Sequence, residues 1–141
     1  MPAAETMIRV GKSACGRGVF ARKVIRKGTQ VGIARGRVFD DPLYCSNYCI
    51  DLGGDLSLEP TAPFRYLNHC CDPNCKLFLI ERHNKDGTLA PSDVQVKSLR
   101  SIAVGEELTI DYAWCADAAI PCLCGADACR GWVVAATECV A

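Results

Sequence analysis

Residues 65–75 read RYLNHCCDPNC and place three cysteines within six positions. A second cysteine-rich stretch, residues 122–129 (CLCGADAC), spaces three more as C-x-C-x4-C around Gly125. Three thiolates this close can cover one face of a tetrahedral ion, and a structural zinc site takes four ligands. The fourth ligand must therefore come from elsewhere in the chain. The richest source is the trio in residues 70–75, and the competing sources are Cys115 and Cys139.

The cysteine content also bears on the compartment. The chain has 11 cysteines in 141 residues, an odd number that cannot pair completely within one chain. The first residues, MPAAET, lack a basic segment followed by an apolar one, so we expect no secretory signal and an intracellular, reducing location. Clustered cysteines in a reducing compartment more often bind metal than form disulfides. Isolated cysteines are interpreted as small buried apolar residues.

Length and charge exclude several classes of protein. A chain of 141 residues fits one domain. Sixteen basic residues balance sixteen acidic ones, so the formal net charge is zero and direct nucleic-acid binding is not expected. No apolar run approaches the roughly 20 residues that cross a bilayer, so we expect no membrane association.

Short β-rich runs separated by turn residues predict a mainly β fold. Gly53 and Gly54 predict one hairpin turn, and residues 84–87 (NKDG) predict another, since Asn and Gly tolerate positive φ. Residues 63–68 allow a turn or two of helix. The tail after Trp114 is poor in bulky apolar side chains and needs help to stay folded. The predicted strand runs are 7–10, 19–21, 31–38, 48–52, 56–59, 76–82, 94–97 and 107–112.

Residues 65–75 resemble the Asn-His-Ser-Cys-x-Pro-Asn signature of SET-domain protein lysine methyltransferases. Three further segments resemble that family's motifs in the same order. Residues 16–21 (GRGVFA) resemble the glycine motif near S-adenosylmethionine, residues 105–112 (GEELTIDY) the strand with the catalytic tyrosine, and residues 122–132 the zinc-binding post-SET tail. The resemblance implies a mainly β, SET-type β-clip fold of small twisted sheets with a pseudoknot and a zinc-stapled C-terminal tail. It places the SET domain at 7–114 and the post-SET segment at 115–133.

The resemblance also implies an activity, namely S-adenosylmethionine-dependent methyl transfer to the side-chain amine of a protein lysine in a histone tail or a similar basic segment. It implies a nuclear, chromatin location, or the cytoplasm if the source has no nucleus. Two alternatives stay open. One is a catalytically weak SET-like module that binds a lysine-bearing peptide, and the other is a zinc-stapled interaction domain.

Site residues follow from the matched motifs. Tyr112 is the expected catalytic tyrosine, assisted by Tyr48, for which Tyr44 is the rival. Ile110 and Trp114 are expected to line the substrate channel. The zinc ligands implied by the resemblance are Cys71, Cys122, Cys124 and Cys129. The cofactor contacts implied are Gly16, Arg17, Gly18, Arg65, Asn68, His69 and Trp132.

Several residues depart from the family pattern or need an interpretation of their own. Cys70 replaces the usual serine, and Ile110 stands where Phe or Tyr is usual, which predicts tolerance of higher methylation. Glu106 and Glu107 are predicted to be solvated charges beside a turn, and Asp111 to order a local network. Five acidic residues could attract a basic peptide or could be solvated loop charges: Asp40, Asp41, Asp51, Asp55 and Glu59.

Overall fold

The computed structural model describes residues 7–13, 16–44, 46, 48–112, 121–122 and 124–133. Trp114, Cys115 and Cys139 lie outside the described residues, so the channel prediction for Trp114 has no structural counterpart here. Within the described residues, no helix has the length and apolar character needed to cross a membrane.

Ten strands and one short helical turn make up the described part of the chain, which confirms the predicted mainly β fold. The helical turn is a 3-10 helix at Phe64–Tyr66, within the predicted region. The strands are β1 (Ile8–Ser13), β2 (Gly16–Ala21), β3 (Gln30–Ala34), β4 (Gly36–Asp40), β5 (Ile50–Gly53), β6 (Leu56–Pro60), β7 (Asn68–His69), β8 (Cys75–His83), β9 (Leu89–Ser98) and β10 (Glu107–Ile110).

The strands form three small sheets. The first has the order β1-β2-β10-β7, the second β3-β9-β8 and the third β4-β6-β5. In the first sheet β10 pairs antiparallel with β2 and parallel with β7. Both predicted hairpin turns are present: Gly53 and Gly54 have φ of 94° and 57°, and Gly87 has φ of 88°. Glycine adopts these left-handed conformations at little cost.

The prediction of one strand over residues 31–38 is wrong. The run divides at Arg35 into β3 and β4, which belong to different sheets. Ala34 pairs with Val94 of β9, whereas Gly36 pairs with Pro60 of β6. A Cβ on Gly36 would lie 2.0 Å from the carbonyl oxygen of Glu59, so only glycine permits this crossing from one sheet to the other.

The hydrophobic core fixes β10, the strand that leads to Tyr112. Leu108 of β10 and Val19 of β2 are fully buried and lie in the same core cluster as Val94 and Val96 of β9. Ile110, at the end of β10, is also buried. Close-packed interiors resist displacement, so the end of β10 is a rigid support for the residues that follow it.

Residues 68–75 interlace with β10, in the place where the pseudoknot was predicted. The backbone amide of Cys70 donates to the carbonyl of Ile110 at 2.9 Å. Further on, the buried side chain of Asn74 donates to the backbone carbonyl of Glu107 at 2.8 Å and accepts from the amide of Thr109 at 2.9 Å. The segment is therefore hydrogen bonded to β10 at both of its ends.

Glu106 and Glu107 are not solvated turn charges, so that prediction is wrong. The carboxylate of Glu106 accepts from Asn74 Nδ2 at 3.0 Å, and the carboxylate of Glu107 accepts from Asn68 Nδ2 at 2.7 Å. Both glutamates are partly buried. The two asparagines of the interlaced segment take the place of water as hydrogen-bond donors to these carboxylates, and both lie far from the glutamates in sequence.

Candidate active site and metal centre

Four cysteine sulfurs meet beside the interlaced segment. The Sγ atoms of Cys71, Cys122, Cys124 and Cys129 all lie within 4.8 Å of one another. The Cys71 and Cys122 sulfurs are 3.9 Å apart. A tetrahedral zinc ion with Zn–S bonds of about 2.3 Å separates its sulfurs by ~3.8 Å. The four thiols therefore fit a zinc ion, and Cys71 is the member that the tail itself does not supply.

Backbone amides donate to sulfurs of this four-thiol cluster. The amide of Arg130 donates to Cys71 Sγ at 3.3 Å, and the amide of Gly131 donates to Cys129 Sγ at 3.4 Å. Desolvation raises the pKa of Cys124, but hydrogen bonds from backbone amides and neighbouring thiols outweigh it and lower this pKa to about 6. Burial raises the pKa of Cys71, and it raises the pKa of Cys122 to about 12. Metal ligation requires deprotonated sulfur, so a bound cation would have to lower the pKa of these two thiols.

Tyr112 lies two residues beyond the end of β10 and is held at both its backbone and its hydroxyl. Its amide donates to His69 Nδ1 at 3.0 Å, and its hydroxyl donates to the carbonyl of Leu67. The rings of His69 and Tyr112 are tilted, with centroids 5.4 Å apart. The phenol oxygen is thus directed at the backbone just before the Asn-His pair.

His69 connects this tyrosine to the four-thiol cluster. Because Nδ1 accepts from Tyr112, the ring proton of the neutral imidazole is on Nε2, which lies 3.4 Å from Cys71 Sγ. The side chain is 4% exposed, and desolvation lowers the pKa of His69. A neutral histidine therefore donates to one sulfur of the four-thiol cluster and accepts from the backbone of the candidate catalytic residue.

Asp111 belongs to a local network, as predicted. Its carboxylate accepts from Arg130 Nη2 at 2.8 Å and lies 3.6 Å from His69 Nδ1. Arg130 directly follows Cys129 of the four-thiol cluster, so this ion pair joins the tail to the residue before Tyr112.

The glycine motif borders an open cleft next to Asn68. The cleft has a volume of about 620 Å³ and is lined by Val10, Gly11, Lys12, Gly16 and Arg17. Gly16 has φ of 101°.

Asn68 and Gly18 connect the glycine motif to β10. Asn68 Nδ2 donates to the carbonyl of Arg17 at 2.9 Å and to Ser13 Oγ at 3.1 Å. A Cβ on Gly18 would lie 2.4 Å from the carboxylate of Glu107, the same group that accepts from Asn68. The glycine at position 18 therefore leaves room for the Asn68–Glu107 contact.

A second cluster forms around Glu59 on β6. Tyr44 and Ser46 donate their hydroxyls to Glu59 Oε1, each at 2.6 Å, and Arg65 donates to Oε2 at 2.9 Å. The guanidinium of Arg65 also lies over the ring of Tyr48, at 4.0 Å from its centroid. Hydrogen bonds from Ser46 and Tyr44 lower the pKa of Glu59. The hydroxyl of Tyr44 is thus engaged by a carboxylate.

The structure brings some of the predicted site residues together and places others apart. The four cysteines, His69 and Tyr112 form one connected group, and Asn68 contacts the glycine motif. Arg65 and Tyr48 lie instead in the Glu59 cluster. Trp132 is half-exposed in the tail, where its backbone forms an antiparallel β-bridge with Pro121. Sequence reasoning did not find Arg130 or Glu107 as members of the site, since nothing in their local spacing indicates their distant partners.

Comparison with known proteins gives the family. The sequence matches the SET domain family over residues 16–113. The chain is 43% identical over 70 residues to histone-lysine N-methyltransferase SETD1A of Homo sapiens, covering 48% of this chain. It is 31% identical over 133 residues to histone-lysine N-methyltransferase trithorax of Drosophila melanogaster, covering 84% of this chain. The crystal structure of KRYPTONITE in complex with mCHG DNA and SAH superposes with a TM-score of 0.75 at 25% identity, covering 89% of this chain and 28% of that one.

The protein is a member of the SET domain family, because that family's model matches residues 16–113, most of the chain. The chain spans only 4% of the length of human SETD1A and 3% of trithorax.

Proposed function

We propose that the protein is an S-adenosylmethionine-dependent protein lysine methyltransferase. The observation that carries the proposal is the position of Tyr112, which is held by His69 and Leu67 at the end of a buried strand, beside a four-thiol cluster. Membership of the SET domain family supports it, as do relatives named histone-lysine N-methyltransferases and a structural neighbour crystallised with SAH, the demethylated form of the donor.

The reaction sets requirements that these residues can meet. The bound cofactor supplies an electrophilic methyl group on a sulfonium. The lysine amine must be neutral to attack, although its ordinary pKa is about 10.4. Enclosure of the amine beside a cation lowers that pKa, and alignment of the reacting atoms supplies much of the acceleration. We assign the phenol of Tyr112 to the position of the amine and methyl group, with Tyr48 assisting and buried Ile110 shaping the channel.

The cofactor would occupy the cleft beside the glycine motif. Gly16, Arg17 and Gly18 would border it, and Asn68 and His69 would contact it through side-chain amide and backbone groups. We include Arg65 and Trp132 as further contacts, on the resemblance alone. Cys71, Cys122, Cys124 and Cys129 would hold a structural zinc ion that fixes the tail against the interlaced segment.

A basic protein segment such as a histone tail is the proposed substrate. Four aspartates and Glu59 lie on or beside the sheet β4-β6-β5, near the Glu59 cluster that includes Tyr48. Of these, Glu59 is already paired with Arg65, and Asp51 accepts from the amide of Gly53 at 2.8 Å. The remaining negative charge favours a cationic peptide over an acidic one. A histone substrate implies a nuclear location, which we propose on the relatives' names.

The test is labelled methyl transfer from S-adenosylmethionine to core histones and to a cell lysate, with products identified by mass. We expect transfer by the wild type. Tyr112→Phe should lower kcat by about 100-fold while keeping zinc and cofactor binding, because one positioned polar group is lost. Cys124→Ser should lose both zinc and activity. Cys49→Ser is the matched control, since this thiol lies outside the four-sulfur cluster and serine can still donate to the carbonyl of Ser46.

Two other results would contradict the proposal. Cofactor binding measured by calorimetry, without transfer to any protein, would favour the lysine-peptide binding module. Zinc content without cofactor binding or a cofactor-induced thermal shift would favour the zinc-stapled interaction domain.

A further inference from the structure

We propose that Asp111 and Arg130 are positioning residues for Tyr112, and that their ion pair makes methyl transfer depend on the docked tail. The inference rests on the proposed function, because it concerns the catalytic tyrosine of that reaction. It assigns a role to two residues that are not among those lining the cleft of the glycine motif.

The ion pair joins two points that matter to the site. Arg130 Nη2 donates to Asp111 Oδ1 at 2.8 Å, across 19 positions of sequence. Asp111 is bonded covalently to Tyr112, and Arg130 to the ligand Cys129. A change in the position of the tail is therefore transmitted to the backbone of Tyr112 through one short contact.

The pair is sheltered enough to act as a rigid contact. The side chains of Arg130 and Asp111 are 15% and 31% exposed, whereas those of the Arg82–Asp93 pair on the β8–β9 hairpin are 56% and 35% exposed at 3.6 Å. Exposed ion pairs contribute little to stability, whereas short, partly buried, charge-assisted hydrogen bonds are stronger and fix the relative position of the two groups. The Arg82–Asp93 pair is thus a matched control.

A second path runs in parallel and closes a ring of contacts. The backbone amide of Arg130 donates to Cys71 Sγ at 3.3 Å, and Cys71 contacts His69, which accepts from the amide of Tyr112. Tyr112 is consequently located by two linked supports, the histidine from the interlaced segment and the ion pair from the tail.

This arrangement predicts a specific kinetic defect. Loss of the ion pair leaves all four sulfurs, the cleft and the Tyr112 hydroxyl in the chain, so metal and cofactor binding should persist. The phenol should be less well placed, and small displacements of a catalytic group reduce kcat strongly. A defect in kcat with little change in KM separates positioning from substrate binding.

The experiment compares the zinc-loaded full chain with Arg130→Gln, Asp111→Asn, the double variant, Arg130→Lys and the control Arg82→Gln. We expect Arg130→Gln and Asp111→Asn each to lower kcat by about tenfold or more, with KM for cofactor and peptide changed by less than about threefold. The double variant should be no worse than the worse single one, because both remove the same contact. Arg130→Lys should recover part of kcat, and Arg82→Gln should match the wild type.

A structural readout keeps this test separate from the test of the function. The 1H–15N resonance of the Tyr112 amide, which reports its hydrogen bond to His69, should shift in Arg130→Gln and not in Arg82→Gln. If no variant or wild type transfers methyl groups but the resonance shifts as stated, the proposed function fails and the positional coupling stands. An unshifted resonance, additive losses in the double variant, or loss of zinc from Arg130→Gln would each overturn the inference.

Discussion

Asn74→Ala tests the claim that residues 68–75 are locked to β10. Asn74 is 2% exposed, and its side chain bonds the amide of Thr109, the carbonyl of Glu107 and the carboxylate of Glu106. Alanine fits the same backbone but provides none of these partners. The substitution therefore removes the link at one end of the interlaced segment and leaves the link at Cys70 in place.

The magnitude follows from the groups left without a partner. A buried donor or acceptor that loses its hydrogen bond costs about 1–3 kcal/mol. The amide of Thr109 and the carbonyl of Glu107 are two such groups, while the carboxylate of Glu106 still accepts from the amide of Ala103 at 3.1 Å. We expect a loss of about 3 kcal/mol in the free energy of unfolding, a large part of the 5–15 kcal/mol typical of a domain.

Urea denaturation of the zinc-loaded protein measures this loss. With a urea slope of roughly 2 kcal/mol/M, the midpoint should fall by about 1.5 M. Asn84→Ala is the matched control, because Asn84 lies in the exposed β8–β9 turn and its side chain donates to the hydroxyl of the exposed Thr88. This substitution should change the free energy of unfolding by less than about 0.5 kcal/mol. A loss below about 1 kcal/mol for Asn74→Ala would refute the locking role.

Three further predictions concern the metal, the product and pH. Removal of zinc with a chelator should abolish cofactor-dependent thermal stabilisation, and Cys124→Ser should behave like the chelated wild type in a melting assay. Ile110→Tyr should shift the products towards fewer methyl groups, as read by mass spectrometry; strict monomethylation by the wild type would contradict this. The folded-state pKa of Glu59 is lowered, so its contribution to stability is present above its ordinary pKa of 4.5 and is lost as pH falls through the folded value. Glu59→Gln should therefore be less stable than the wild type at neutral pH, and the difference should shrink below pH 4.5 in denaturation curves.

The sequence was most informative where chemistry is local. Three cysteines at C-x-C-x4-C spacing indicated a metal centre, because ligands that are close in sequence can be close in space with only one turn between them. The residues alone left the fourth ligand open among five cysteines. The resemblance to the SET family indicated Cys71, and its sulfur does lie within 4.8 Å of those of Cys122, Cys124 and Cys129.

Sequence reasoning failed where the structure of a residue depends on a partner far away in sequence. The run at 31–38 has uniform β character. It divides at Arg35 because its first half pairs with β9 and its second half pairs with β6. Glu106 and Glu107 read as surface charge until Asn68 and Asn74 are placed beside them. Arg130 gave no signal either, because its adjacency to a ligand says nothing about a carboxylate 19 positions away.

The contacts of residues 68–75 also indicate what zinc stabilises. Cys71 would link the segment to a bound zinc ion, but Asn74 and the amide of Cys70 link it to β10 without any ion. Besides the four sulfurs, the described tail is held by the Arg130–Asp111 ion pair and by the burial of Cys122 and Val133. Pro121 and Trp132 form a β-bridge within the tail itself. Chelation should therefore release the tail first and leave the three sheets folded, because none of the described tail residues belongs to the core cluster. Since Arg130 leaves with the tail, the apoprotein should retain its β spectrum while the Tyr112 amide loses its native environment.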